Sequence, residues 1–283
     1  MKAATTSILL IVCALGAACL QSSRTMRGAD ASAVAHAVPP PSPQADLVVA
    51  LLGGFRSIVA EVVWFRADRL QDSGRYAELA QLAAWLTFLE PHTPEVWSYA
   101  AWNLAYNVSV MMPSAADRWR WVEAGLKLLR DDGLRLNPRS PAIHREISWL
   151  FLAKLGGNLD DAAPYYRQVW KGKIEAAKAS GDWSQLKLEK QGMDAVDACY
   201  GAQDWTSPLA SALYWAHEGL AFSSTPSDRR ELRHQIVQTL MMEAVGDSKI
   251  APRALAEMQS AYAEFPSRML EEMMTHFRAK FKL

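Results

Sequence analysis

No single sign of charge dominates this chain. Thirty Lys and Arg offset thirty Asp and Glu, and the sequence pI is close to 7.0. The electrostatic footprint of a dedicated nucleic-acid binder is therefore missing. Cysteine is scarce, with three in all. Cys13 and Cys19 fall within the first twenty residues, so Cys199 stands alone in the body and no disulfide framework is available. A lone Cys in this setting reads as a small buried apolar residue rather than a nucleophile. Catalytic signatures are absent as well. Gly53-Gly54 lacks the Gly-Lys-Ser/Thr that would complete a phosphate-cradling loop, and His217-Glu218 lacks the second His of a zinc hydrolase. No Ser sits in a Gly-x-Ser-x-Gly elbow, and His36, His92, His144, His217, His234 and His276 do not pair at ligand spacing. Acidic pairs such as Asp131-Asp132 and Glu271-Glu272 read as solvated helix faces. The expectation is no enzyme, no cofactor, no metal and no small-molecule substrate.

What is present begins at the N-terminus. Met1-Lys2 precedes an apolar stretch, Ser7 to Leu20, whose core has the length of a signal-peptide h-region. Leu15-Gly16-Ala17-Ala18-Cys19 is similar to a bacterial lipoprotein signal with Cys19 as the lipidated residue, except that Gly16 stands where Leu is usual. Counted from Ala3, the stretch is long enough to span if uncleaved. Residues 1–20 are thus a signal peptide or an N-terminal membrane anchor. Residues 21–45 are rich in Pro, Ser and Ala, and Pro39-Pro40-Pro41-Ser42-Pro43 makes them an extended linker. Together they predict a cell-envelope location, membrane-anchored or extracytoplasmic.

Residues 46–283 read as helix after helix, with no period-2 alternation between hairpin turns. Leu51, Phe55, Ile58, Val62 and Phe65 form one helical stripe, expected to be the apolar face of a helix from Leu47 to Leu70. Further helices are expected from Tyr76 to Glu90, from Thr93-Pro94 with Thr93 as cap, from a capping box at Ser114–Asp117, and from Ser140-Pro141. Another opens at Asp160, with Asn158 as cap and Asp160 and Asp161 in the first turn. Gln185–Tyr200, Leu209–Phe222, Ser227–Val245, Ala251–Glu264 and Ser267–Phe281 complete an all-α reading with ten or eleven helices.

Two turns organise the series. Gly74-Arg75-Tyr76-Ala77-Glu78-Leu79 and Gly157-Asn158-Leu159-Asp160-Asp161-Ala162 each place a Gly suited to the left-handed conformation between two helices. Gly74 to Pro91, seventeen residues on, resembles the second half of a tetratricopeptide repeat, with Leu79 in place of the usual Ala. Gly157, Asn158 and Ala162 match that turn too, but without a closing Pro. Pro91 and Pro138 are 47 residues apart, against about 34 in a regular repeat. The resemblance implies antiparallel helix pairs stacked as a degenerate tetratricopeptide-like solenoid. It also implies a partner groove, for which Tyr99, Asn103, Tyr106, Asn107, Arg118 and Arg145 are the candidates.

A second candidate surface is C-terminal. Met258, Tyr262, Phe265, Met269, Leu270, Met273, Met274, Phe277 and Phe281 form either an array-capping helix pair or a Met-rich partner groove. Eleven Trp and eleven Met allow the same two readings, thick helix packing or an exposed recognition face. The functional expectation is a membrane-tethered or exported helical-repeat scaffold that binds a protein or peptide in a bacterial envelope assembly. An envelope enzyme with a site assembled from distant residues and a purely structural subunit are the alternatives.

Overall fold

At Gly74 the chain ends one helix in the manner its sequence predicts. Gly74 has φ +69°, its N–H donates to the Gln71 carbonyl at 3.0 Å, and the Arg75 N–H reaches back to the Leu70 carbonyl at 2.9 Å. This pair of bonds is a Schellman motif, and it satisfies carbonyls that the helix end would otherwise strand. The computed structural model describes residues 56–283. Cys19, the leader, the linker and the helix start expected at Leu47 lie outside the described residues. The described residues 56–283 form eleven helices and no strand, so the all-α reading holds. The chain divides into two units, Met1–Leu89 and Glu90–Leu283.

In the first unit, α1 (Arg56–Asp72) and α2 (Tyr76–Leu89) pack as a hairpin around the Gly74 turn. The buried face of α1 is built from Ala60, Ala67 and Leu70, packed with Leu79, Leu82, Ala83, Leu86 and Leu89 of α2 among the core residues. Leu79 is fully buried. Of the helically spaced stripe, Ile58, Val62 and Phe65 are exposed at 56%, 63% and 65%, and Leu51 and Phe55 lie outside the described residues. Small residues allow close helix approach, so the alanines take the interface and the larger side chains are left outside.

The second unit holds α3 (Pro94–Trp102), α4 (Ala115–Lys127), α5 (Pro141–Trp149), α6 (Ala163–Ser180), α7 (Lys190–Tyr200), α8 (Pro208–Phe222), α9 (Pro226–Gly246), α10 (Ala251–Glu264) and α11 (Arg268–Phe281). Several starts are set by caps. Ser114 Oγ accepts from the Asp117 N–H at 3.1 Å, which caps the helix. Its hydroxyl donates to the Asp117 carboxylate at 2.6 Å, rather than the carboxylate reaching back to the Ser114 N–H as in a full capping box. Ser140, Ser207, Thr225 and Ser267 cap their helices similarly. Thr93 is extended before Pro94 but makes no side-chain cap bond.

Helix α8 is apolar almost all round and buries Ala210, Ala212, Leu213, Tyr214, Trp215 and Ala216, as a helix enclosed by neighbours must. Helices α5 and α9 pack along it, and α9, α10 and α11 follow as successive neighbours. Three consecutive helices widen at their C-terminal ends into π-helical turns: Asn103–Val108 after α3, Leu128–Gly133 after α4 and Leu150–Gly156 after α5. Such turns are rare and are frequently found at functional sites.

Two expectations at the second Gly turn are corrected. Gly157 is extended at φ −73°, not left-handed, and its role is steric: a Cβ there would lie 2.5 Å from the Ala153 carbonyl oxygen. Helix α6 opens at Ala163, with Pro164 in its first turn, so Asp160 and Asp161 precede it and Asn158 is not its cap. The Asn158 amide oxygen instead accepts from Arg167 at 3.2 Å. Cys199 is exposed rather than buried.

Candidate functional site

The groove candidates do not share one surface. Asn103 is fully buried, donates to the Tyr99 carbonyl at 3.0 Å and accepts from Asn107 at 2.6 Å. That chain of bonds lies on one helix and its π-helical extension, which makes it a local brace. Tyr99 is half-buried there. Arg118 is held away from any partner by the Met112 carbonyl at 3.0 Å, the Asp160 carboxylate at 3.2 Å and Asp161. Gly74, Tyr76, Pro91, Pro138, Gly157, Asn158 and Ala162 all lie at or beside helix ends.

Arg118 belongs to a buried polar network centred on Asp160. The Asp160 carboxylate accepts from Lys154 at 2.6 Å, from the Tyr166 hydroxyl at 3.0 Å and from the Ala162 N–H at 3.0 Å. Burial would raise this carboxyl, but the bonds from Lys154, Ala162 and Tyr166 hold it at about 2. Burial, reinforced by the Asp160 charge, pushes the Tyr166 hydroxyl up. Lys154, itself only 3% exposed, also sits 5.0 Å from the Tyr106 ring centroid, and that ring stacks on Trp102 at 5.6 Å. Through Arg118 this ion cluster ties the turn between α5 and α6 to α4.

Beyond Trp102 the surface opens. A cavity of about 710 Å³ lies between α3, α5, α9 and the α10–α11 turn. Arg145 lines it, the one groove candidate that does, together with Trp102, Glu146, Trp149, Arg230, His234 and Gln235. Arg145 pairs with Glu231 and lies 3.6 Å from Glu146. Burial raises the Glu146 carboxyl, with Arg145 opposing, and burial lowers His234. The Tyr106 hydroxyl is pushed up by burial and by the Glu146 charge.

Adjoining this cavity through Trp149, Gln238 and Met269 is an apolar groove of about 810 Å³. Its walls are Leu152, Ala153 and Leu159 after α5, Met241, Met242 and Val245 on α9, and Met273, Phe277 and Phe281 on α11. Leu159 is 93% exposed, and Val245 and Met269 are exposed at 65% and 56%. The C-terminal stripe thus divides between the two readings: Met258 and Met274 are buried in helix packing, Phe277 is buried and also lines the groove, and Met269, Met273 and Phe281 line it with partly exposed or exposed side chains. The Trp residues divide likewise, with Trp97, Trp119, Trp170, Trp205 and Trp215 buried and Trp102 and Trp149 exposed.

Sequence reasoning missed Leu159, Met241, Met242, Val245, Trp149 and Gln235. Leu159 carried a readable signal, since a large apolar residue in the otherwise polar turn Asn158–Asp161 has no local reason to be there. Among the described residues no group of three or more His, Cys, Asp and Glu could hold a metal ion. No helix among them is long and apolar enough to cross a membrane. Comparison with family models, with curated proteins and with solved structures finds no match to this chain.

Proposed function

We propose that this protein is a membrane-tethered or exported helical scaffold, built from degenerate tetratricopeptide-like helix pairs, that binds a protein partner in a bacterial cell envelope. The observation that carries the reading is the apolar groove of α5, α9 and α11. Its floor is buried at Leu152 and Phe277, but Trp149, Leu159, Val245 and Met269 are exposed around half-exposed Met241, Met242, Met273 and Phe281. Such apolar surface costs solubility unless something covers it. Its shape suits an amphipathic helix of the partner. From Met269 to Lys280 the groove runs about 16 Å along α11, the length of three helical turns. Met side chains adapt to varied apolar surfaces and are over-used in such grooves. Charge on the rim adds polarity, with Glu272 near one end and Lys280 near the other, so a partner helix carrying the opposite signs is favoured.

The test is the size of the native complex in gently solubilised membranes. The full chain is expected to migrate well above its 31.4 kDa monomer mass. A Leu159→Asp/Val245→Asp variant is expected to migrate as the monomer while keeping its helical spectrum. Equal migration of the two proteins removes the groove reading. Removal of residues 1–20 is expected to release the protein from membranes, and continued sedimentation of that form would remove the tether.

A further inference from the structure

The cavity beside the groove has a chemistry of its own. Most of its charges are paired: Arg145 with Glu231 and Glu146, and Arg233 with Glu257 and Glu264, while Arg230 has no carboxylate partner among these ion pairs. Arg230 lies 5.3 Å from the Phe265 ring centroid. Cations and carboxylates are balanced around the cavity, with Glu146, Glu231, Glu257 and Glu264 set against Arg145, Arg230 and Arg233, so it favours a ligand without net charge. Hydrogen-bonding capacity is nonetheless abundant, with N–H donors on Arg145 and Arg230 and an acceptor on Glu146.

Gln235 adds an unmet demand. Its side chain is 4% exposed and its Nε2 donates to the Arg145 carbonyl at 3.1 Å. A carbonyl only accepts, so the amide cannot be turned around, and Oε1 is left buried without a donor. Gln235 itself lines the cavity, so a hydroxyl donor entering it would answer this oxygen. Two indoles complete the site. Trp102 and Trp149 are each 39% exposed, and Trp102 has one face covered by Tyr106.

We propose that the Trp102–Trp149–Gln235 cavity is a saccharide-binding pocket that takes a neutral pyranose disaccharide. Sugar rings present a C–H face that stacks on indole, and hydroxyls that donate to Gln235 and Glu146 while accepting from Arg145 and Arg230. Two partly exposed indoles lining one cavity suit a ligand of two linked rings. The site goes beyond the scaffold reading, because Trp102 and Gln235 line this cavity and not the groove.

Isothermal titration of the full chain with cellobiose, maltose and chitobiose, each to about 10 mM, tests the proposal. At least one sugar is expected to bind saturably. That binding is expected to weaken by about tenfold or more in Gln235→Leu and in Trp102→Leu, and to persist in the groove variant Val245→Asp. Arg230→Gln, on an exposed side chain, is the further variant should Trp102→Leu fail to fold, and it is expected to weaken binding as well. No saturation with any of the three sugars overturns the proposal. So does binding that all of these variants leave unchanged, or that an amphipathic peptide displaces from the native protein but not from Val245→Asp. The partner complex of the groove is measured separately, so either reading can fail alone.

Discussion

Lys154 and Asp160 face each other at 2.6 Å with their side chains 3% and 6% exposed, an ion pair nearly sealed from water. The two partners are not equivalent. Asp160 retains Arg118, Tyr166 and the Ala162 N–H if Lys154 is removed, whereas no other carboxylate pairs with Lys154 in the ion pairs of this network. Asp160→Asn is therefore expected to destabilise by about 3–5 kcal/mol, because a buried cation is stranded, and Lys154→Met by about 1–3 kcal/mol. Urea denaturation of both single variants and the double variant checks this. Equal costs would contradict the asymmetry.

The same pair sets an acid limit. The folded Asp160 pKa of about 2 lies below the ordinary carboxyl value of 3.8, so the unfolded chain binds the proton first as pH falls. Its stabilisation is complete above about pH 4 and is lost progressively toward about pH 2, a contribution of about 2 kcal/mol. The slope of stability against pH over that window is expected to flatten in Asp160→Asn, while an unchanged slope would place the acid sensitivity elsewhere.

Glu243 has the opposite sign. Burial pushes its carboxyl up to about 7, with Arg253 opposing and Asp204 assisting, and its Oε2 is buried with no donor. The folded state therefore holds a proton that the unfolded chain has already released, and stability falls as pH rises from about 4.5 to about 7. Glu243→Gln is expected to leave stability unchanged near pH 4 and to raise it by about 1–3 kcal/mol at pH 8. Thermal melts at the two pH values read the difference, and a gain of the same size at both would contradict it.

Two glycines separate conformational from steric need. Gly74 has φ +69° and open space where a methyl would lie, so Gly74→Ala is expected to cost only the backbone strain, about 1 kcal/mol. Gly125 sits where a Cβ would lie 2.8 Å from the Ala101 carbonyl oxygen, and Gly125→Ala is expected to cost about 1–3 kcal/mol by forcing α3 and α4 apart. Calorimetric melts of both variants rank the two effects.

Helix positions were legible because their signals are local. Ser114 with Asp117, Ser140-Pro141 and the Gly74 turn each carry the chemistry that starts or stops a helix. Which face is buried was less legible. The stripe Ile58–Val62–Phe65 has the right period for a core face, yet Ala60 and Ala67 take the contact, since period alone does not distinguish two apolar faces of one helix. The site was legible in part. Arg145 and the Met-Phe stripe of α11 could be named from sequence. Gln235 and Trp149 become notable only when α3, α5 and α9 converge, a consequence of long-range packing. Asn103 and Arg118 were attractive by residue type, but their hydrogen bonds are spent inside the fold.

Under the proposed function, the groove of α5, α9 and α11 holds a partner helix. Photo-crosslinking in intact cells from an unnatural amino acid at Met242, set against the same probe at exposed Glu175 on α6, measures it most directly. A discrete protein adduct from Met242 that disappears with Leu159→Asp, and no adduct from Glu175, is the predicted result. Adducts of equal yield from both positions, or none from Met242, would contradict it.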